Sequence, residues 1–432
     1  MGESGLWHAD HAWLGDEDLA EGVLVAVEGG VISSVTTGAA SGDARKLEGV
    51  LLPGLVSAHS HAFHRLLRGR THSGRGDFWA WREAMYSTAE KLTPTSYRSL
   101  AVDVFTEMLQ AGITTVGEFH YVHHQADGTP YDDPNAMGLA LIEAADEVGI
   151  RMTLLDTAYL TSTVYGDPPT PQQARFSDGT IESWGSRVEG LHAVRHSQRV
   201  RIGVAAHSVR ALSPADLEAV ATLAAEHHLP LHIHASEQPA ENEDCLRAHG
   251  VTPVGLLADV GFLGPRTTIV HGTHVSDEDI ALVASAGAAV CFCPTTEADL
   301  GDGIGPAEEY SRAGVPISLG SDSNAVIDIL AEAGRLESHD RLRLLRRGVH
   351  SPRSLMIAAT EGGAANLGWE TGRIASGFLA DFVVLDSSSH ELVGTPADLA
   401  SIALHATRAS VNKVIVGGQE LDLPRPTYEK AK

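Results

Sequence analysis

Gly49-Val50-Leu51-Leu52-Pro53-Gly54-Leu55-Val56-Ser57-Ala58-His59-Ser60-His61 carries more structural information than any other part of this chain. The apolar run is too short for a typical helix, is interrupted by Pro-Gly, and reads as a buried strand. His59 and His61 stand two apart on that extended segment, so their side chains point to one side. Two imidazoles converging from one strand end are half of a transition-metal site. The other half has to come from later strand ends.

Outward from this stretch the same unit recurs: a short β-branched apolar run, a polar loop, then a helix-like segment. The strand candidates are residues 50–58, 113–119, 151–158, 200–206, 230–235, 267–271, 288–292 and 315–320. Between them lie Ala- and Leu-rich amphipathic segments such as 213–228, where Ser213-Pro214 supplies an N-cap and first-turn signal, and 277–286. Strand-helix alternation repeated eight times is the pattern of an α/β chain closed into a (β/α)8 TIM barrel. An open doubly wound sheet is the alternative, but no glycine-rich phosphate loop follows the first strand.

The two ends differ from the middle. Residues 12–50 and 373–422 alternate apolar and polar with turn glycines, as in Gly22-Val23-Leu24-Val25-Ala26-Val27 and Val411-Asn412-Lys413-Val414-Ile415-Val416. These are hairpin signals. The expected organisation is a small composite β-sandwich domain from residues 1–52 and 368–432, flanking a catalytic barrel over 53–367.

Composition narrows the partners. With 432 residues the chain can bury a large core, and 31 Lys plus Arg against 56 Asp plus Glu leave a net charge of −25. That balance argues against nucleic acid or an anionic membrane as partner, while a small anionic substrate needs only a local pair of arginines. No apolar run approaches bilayer length, and Met1-Gly2-Glu3-Ser4-Gly5-Leu6 lacks the basic and apolar regions of a signal peptide. Cys245, Cys291 and Cys293 are too few for a disulfide framework, so the expected compartment is the cytoplasm. Cys291 and Cys293 read as small core residues, with metal or redox chemistry as the alternative.

In a barrel of this kind functional groups project from the C-terminal ends of the strands. The first strand ends in His59 and His61, and the second in Glu118-Phe119-His120-Tyr121. The fourth ends in His207-Ser208-Val209-Arg210, and the fifth carries His232-Ile233-His234-Ala235-Ser236-Glu237. The sixth ends in His271 and the eighth in Ser321-Asp322-Ser323-Asn324. One histidine at a strand end is ordinarily a structural hydrogen-bonding residue. Histidines or an acid at the ends of strands one, five, six and eight form a set, and imidazoles plus a carboxylate suit a borderline cation such as Zn²⁺.

This order of His-x-His, strand-five His, strand-six His and strand-eight Asp resembles the amidohydrolase superfamily. So do Pro53-Gly54-Leu55-Val56-x-x-His59 and Gly377-Phe378-Leu379-Ala380-Asp381-Phe382-Val383-Val384-Leu385. The resemblance implies that His59, His61, His234 and Asp322 ligate a metal, with His271 close by. Binuclear members commonly bridge two ions with a strand-four lysine or glutamate. Val204-Ala205-Ala206-His207 has neither, so one Zn²⁺ per subunit is expected, with Fe²⁺ accepting the same ligands. The spacing His234-x-x-Glu237 is similar to the deaminating branch, where the glutamate shuttles protons. On that pattern the catalytic residues are Glu237, His271 and Asp322, the reaction is hydrolytic loss of ammonia, and a homodimer is common.

A second set of residues narrows the likeness to the branch that deiminates N-formimidoyl-L-glutamate, a step of histidine breakdown. It comprises His59-Ser60-His61-Ala62-Phe63, Phe78-Trp79-x-Trp81-Arg82-Glu83-x-Met85-Tyr86 and Glu118-Phe119-His120-Tyr121-x-His123-His124. The implied products are N-formyl-L-glutamate and ammonia, and the implied substrate contacts are His64, Arg82, Tyr121, His207 and Arg210. Guanidinium groups bind carboxylates bidentately, which suits a dicarboxylate substrate, although either arginine can instead serve an ordinary ion pair. His64 departs from the branch, which usually has Gln after His-x-His-Ala-Phe. The rivals are an aminohydrolase of guanine, an oxidised purine or a triazine, and a non-catalytic scaffold on the same fold.

Overall fold

The structure, a computed structural model, describes residues 2–71, 78–193, 197–424 and 428, with the backbone alone for 78–80. Eight parallel strands follow one another in sheet order: β5 (Leu55–Ser60), β6 (Ile113–His120), β7 (Arg151–Ala158), β8 (Val200–Ser208), β9 (Leu231–Ala235), β10 (Thr267–His271), β11 (Ala289–Phe292) and β12 (Ile317–Leu319). Helices separate them in sequence, as the alternation predicts. Every residue of β6 and β7 is buried, as expected of strands with helices on one face and a filled interior on the other. The ring closes between its first and last members, where Ser60 pairs in parallel with Asp322.

A separate mixed sheet comes from the two ends of the chain: β1 (Gly5–Ala12), β2 (Ala20–Glu28), β3 (Val31–Thr36), β4 (Arg45–Pro53), β13 (Phe382–Leu385), β14 (Val411–Val416) and β15 (Gln419–Glu420). Its order is β15-β14-β13-β4-β1-β2-β3, so the two ends of the chain meet at the β13–β4 pair. Residues 1, 425–427 and 429–432 of the expected composite domain lie outside the described residues.

The opening stretch differs from its sequence reading in one respect. Residues 50–58 are not one strand. Pro53 ends β4 in the mixed sheet, and Leu55 starts β5 in the barrel. Gly54 is the crossing point: its N–H donates to the Asp381 carbonyl at 2.8 Å, while the Leu55 N–H donates to Gly112 in the barrel at 3.1 Å. A Cβ on Gly54 would lie 2.1 Å from Thr114 Oγ1, so only glycine lets the chain pass.

The apolar runs of β4 and β13 are continuous because these strands are buried on both faces. Val50, Leu52, Val383 and Leu385 join the main core, whereas Leu51, Phe382 and Val384 join the core of the mixed sheet. Arg151 and Asp381 link the same junction by a buried bidentate pair at 2.6 and 3.0 Å. Thr371 and the Gly417 N–H supply further donors to Asp381.

Local signals behave as read. Ser213 caps the helix Pro214–Glu226 in a capping box with Asp216, and the helix Asp277–Ala286 starts at Ser276. Among the described residues no helix is long and apolar enough to cross a membrane.

Candidate metal centre and active site

Barrel closure and the histidine pair are one structure. The Asp322 N–H donates to the His59 carbonyl and the His61 N–H donates to the Asp322 carbonyl, each at 3.0 Å. Asn324 ties the seam further, its Nδ2 donating to the His61 carbonyl at 3.0 Å and to Ser60 Oγ at 3.1 Å. Glu118, at the end of β6, accepts the Ala62 N–H at 2.6 Å, and burial pushes its carboxyl up to about 8. A Cβ on Gly320 would meet the His59 carbonyl at 2.8 Å, so glycine permits the close approach of the last strand.

The mouth is also conformationally strained. Ser236, His271, Asp322 and Asn324 have φ of 55°, 70°, 41° and 54°, left-handed values that side chains rarely adopt. All four follow or end strands at the barrel mouth, which is where strain is retained when it aims functional groups.

His59, His61 and His234 offer nitrogens that lie within 4.8 Å of one another. His59 Nε2 and His234 Nε2 are 3.1 Å apart. Asp322 Oδ1 lies 3.4 Å from His59 Nε2 and 3.5 Å from His61 Nε2. The tautomers of two rings are set from behind: His61 Nδ1–H donates to the Phe119 carbonyl and His234 Nδ1–H to the His207 carbonyl, both at 2.9 Å. Their Nε2 lone pairs therefore face the centre. Burial, reinforced by the neighbouring imidazoles, holds all three histidines well below their ordinary pKa. Three neutral imidazoles and one carboxylate gathered in a buried pocket fit a divalent cation of the zinc type.

A layer of acids stands beside this centre, and two of them, Glu297 and Asp302, the sequence reading did not single out. His271 Nε2 faces Glu237 Oε1 at 3.8 Å and Asp322 Oδ2 at 3.9 Å. Its Nδ1 faces Glu297 Oε1 at 3.3 Å, and that oxygen also accepts the Cys293 N–H at 2.8 Å. Burial penalises the charged ring, but Glu237, Glu297 and Asp322 outweigh it and hold His271 well above its ordinary value. Burial and Glu237 push Asp302 up to about 9, and Asp302 accepts a hydrogen bond from Gln238. Acids in loops and in first helical turns are common, so only their convergence marks them.

Cys291 and Cys293 pack with Ala58 and Val270 as the core residues they were read to be. Cys293 lies near His271 and Asp322, but burial keeps its thiol well above its ordinary value and hence un-ionised.

The remaining sequence-predicted residues meet in one pocket at the centre. His61, His64, Arg82, Tyr121, His207, Arg210, His234, Glu237, His271 and Asp322 all line it, and His59, fully buried, does not. Arg82 reaches it from the helix Phe78–Ala89, with Nε donating to Tyr86 Oη at 2.7 Å. The side chains of Phe78 and Trp79, part of the same motif, lie outside the described residues. His64 Nε2 and Tyr121 Oη are 2.9 Å apart, and burial lowers His64 to about 3, so its ring is neutral. Tyr86, Tyr121, Tyr159 and Phe176 complete an aromatic wall.

His120, His123 and His124 are not part of that wall. They join Asp156, Asp178 and Arg187 in a second buried cluster behind β6 and β7. His120, His123 and Asp156 offer ligand atoms close enough to hold an ion. Arg187, however, donates to both oxygens of Asp156 at 2.6 and 2.8 Å and to both oxygens of Asp178 at 2.9 and 3.0 Å. The guanidinium already supplies the positive charge there.

The Amidohydrolase family pattern matches residues 50–421. Formimidoylglutamate deiminase of Pseudomonas aeruginosa is 37% identical over 380 residues, spanning 85% of this chain and 83% of that protein. The crystal structure of an amidohydrolase from Brucella melitensis is 36% identical with a TM-score of 0.85, covering 96% of this chain and 94% of that one. The crystal structure of an adenosine deaminase from Xanthomonas campestris with bound zinc is 26% identical with a TM-score of 0.84, covering 98% and 93%. With its barrel, its convergent histidines and these likenesses, the chain belongs to the amidohydrolase family.

Proposed function

We propose that this protein is a zinc-dependent deiminase that hydrolyses N-formimidoyl-L-glutamate to N-formyl-L-glutamate and ammonia. The observation that carries this reading is the pairing, in one cavity, of Arg82 and Arg210 with Glu237 and the His–Asp centre. Two guanidinium groups match the two carboxylates of the substrate, and an acid within reach of the centre matches its amidine. The 37% identity to a formimidoylglutamate deiminase supports the same substrate.

His59, His61, His234 and Asp322 are the residues that would hold the ion. When bound, such a cation supplies Lewis-acid charge and makes water a usable nucleophile near neutral pH. The remaining roles fall to the chain's own groups. Asp322 accepts a proton from the attacking water, and His271 donates Nε2–H to hold that water against the amidine carbon. Glu237 passes a proton to the departing nitrogen, since ammonia leaves far more readily than an amide ion. Carbon–oxygen bond formation and carbon–nitrogen cleavage consume one water and release one ammonia. Arg82 and Arg210 fix the carboxylates, so the amidine cannot drift from Glu237.

The aromatic wall of Tyr86, Tyr121, Tyr159 and Phe176 favours a second reading, deamination of a planar purine. Ammonia release from the zinc-loaded protein, measured separately with formimidoylglutamate, guanine and adenosine, separates the two. Release from formimidoylglutamate is expected. Release from a purine alone would overturn the substrate assignment. A single zinc, a homodimer and a cytoplasmic place in histidine breakdown are the accompanying proposals.

A further inference from the structure

A carboxylate and a guanidinium line a second pocket that adjoins this cavity. Glu241 lies in the first turn of the helix Pro239–His249 and is 3% exposed. Its Oε2 accepts the backbone N–H of Glu237 at 3.3 Å, while its Oε1 has no hydrogen-bond partner among the described residues. That pocket is partly open to solvent; Glu241 lines it, and Arg82 and Arg210 line both it and the first. Burial works against the charge of Arg210, and Glu241 followed by Glu237 restores it through space rather than by a hydrogen bond.

A buried carboxylate oxygen without a donor is costly to retain unless a ligand supplies the donor. We propose that Glu241 is a positioning residue for Arg210 that selects ligands carrying an N–H donor beside a carboxylate, and discriminates against plain dicarboxylates. The inference rests on the proposed role of Arg210 in binding a carboxylate. A dicarboxylate reaching Arg210 meets the negative charge of Glu241 and offers nothing to Oε1. An N-acyl or N-amidino amino acid brings the same carboxylate together with an N–H that Oε1 can accept. Glu241 thereby turns a general anion site into one for N-substituted amino acids. Burial pushes Glu241 up to about 7, with Arg210 opposing and Glu237 adding to the shift; His271 and Cys245 also interact with it, and Asp244 lines the same pocket. It therefore carries its charge at pH 8.

Binding without turnover tests this. Calorimetry at pH 8 on the zinc-loaded protein compares glutarate, which has no N–H, with N-formyl-L-glutamate, which has one. In the unaltered protein N-formyl-L-glutamate is expected to bind the more tightly. In Glu241→Gln, glutarate should tighten by about tenfold, the size of a charge–charge term across a partly screened gap, and the difference between the ligands should shrink. Glu241→Asp should keep glutarate weak. Improved binding is not what a damaged fold produces. An unchanged ligand preference in Glu241→Gln would overturn the proposal. Failure of the unaltered protein to bind either ligand would instead remove the role of Arg210, and this inference with it.

Discussion

Two buried clusters of histidine and aspartate sit at neighbouring strand ends of this barrel, built from the same residue types to opposite effect. In one, His59, His61, His234 and Asp322 converge with their lone pairs and charge facing a common point. In the other, His120, His123, His124, Asp156 and Asp178 gather around Arg187, which donates to both oxygens of both aspartates. The first holds no guanidinium among its own members, the arrangement proposed above to take up a cation. The second supplies its positive charge internally. Composition does not separate a metal site from a structural network; the presence of a guanidinium at the centre does.

Three predictions test this contrast, from the largest expected effect down. His59→Ala or His61→Ala should abolish the first cluster as a cation site, with metal content falling below about a tenth of an equivalent and turnover falling by at least about 10³-fold. Elemental analysis beside an ammonia assay checks it, and full metal retention would mean the ion sits elsewhere. Glu237→Gln should keep the metal and lose turnover by about 10²–10⁴-fold, because only the proton transfer is removed. Turnover within a factor of two would take Glu237 out of that role.

Arg187→Met acts on the other cluster. It should leave the metal content at that of the unaltered protein and lower stability by about 3–5 kcal/mol in denaturant unfolding, since it strands two buried carboxylates. A second bound equivalent of metal in this variant would show that the guanidinium alone had kept an ion out. The pH dependence sharpens the point. Burial opposes ionisation of Asp156 and Asp178, yet Arg187 and the neighbouring histidines hold both below the ordinary range. A depressed carboxylate contributes stability above its unfolded value of about 4 and loses it as pH falls through the folded value. The unaltered protein should therefore hold this contribution at pH 5 and lose it only in stronger acid, whereas the Arg187→Met variant should lose stability at higher pH.

The barrel was legible because each strand is a short apolar run with a helix after it, and neither signal needs knowledge of the partner strand. The transfer between sheets at Gly54 was not. Residues 50–56 are apolar on either side of it, and only the neighbours Asp381 and Gly112 show that the chain changes sheets. The histidines and Asp322 stood out because they end successive strands. Glu297, Asp302 and Glu241 did not, because an acid after a strand or in a helix's first turn is ordinary until its neighbours are known. His120, His123 and His124 show the reverse: they share a motif with Tyr121, yet Tyr121 faces the cavity while they gather with Asp156 and Asp178, the partners of Arg187.

The amino-acid order by itself determined the eight-fold alternation, the strand-like character of both chain ends, and the residue types available at each strand end. Those follow from periodicity, which depends on residues close together in the chain. The tertiary structure alone decided which of those side chains meet, which find a counter-charge, and which remain aimed at a cavity. Burial and Coulomb energies depend on distances between residues as far apart as His59 and Asp322, distances that exist only once the barrel has closed.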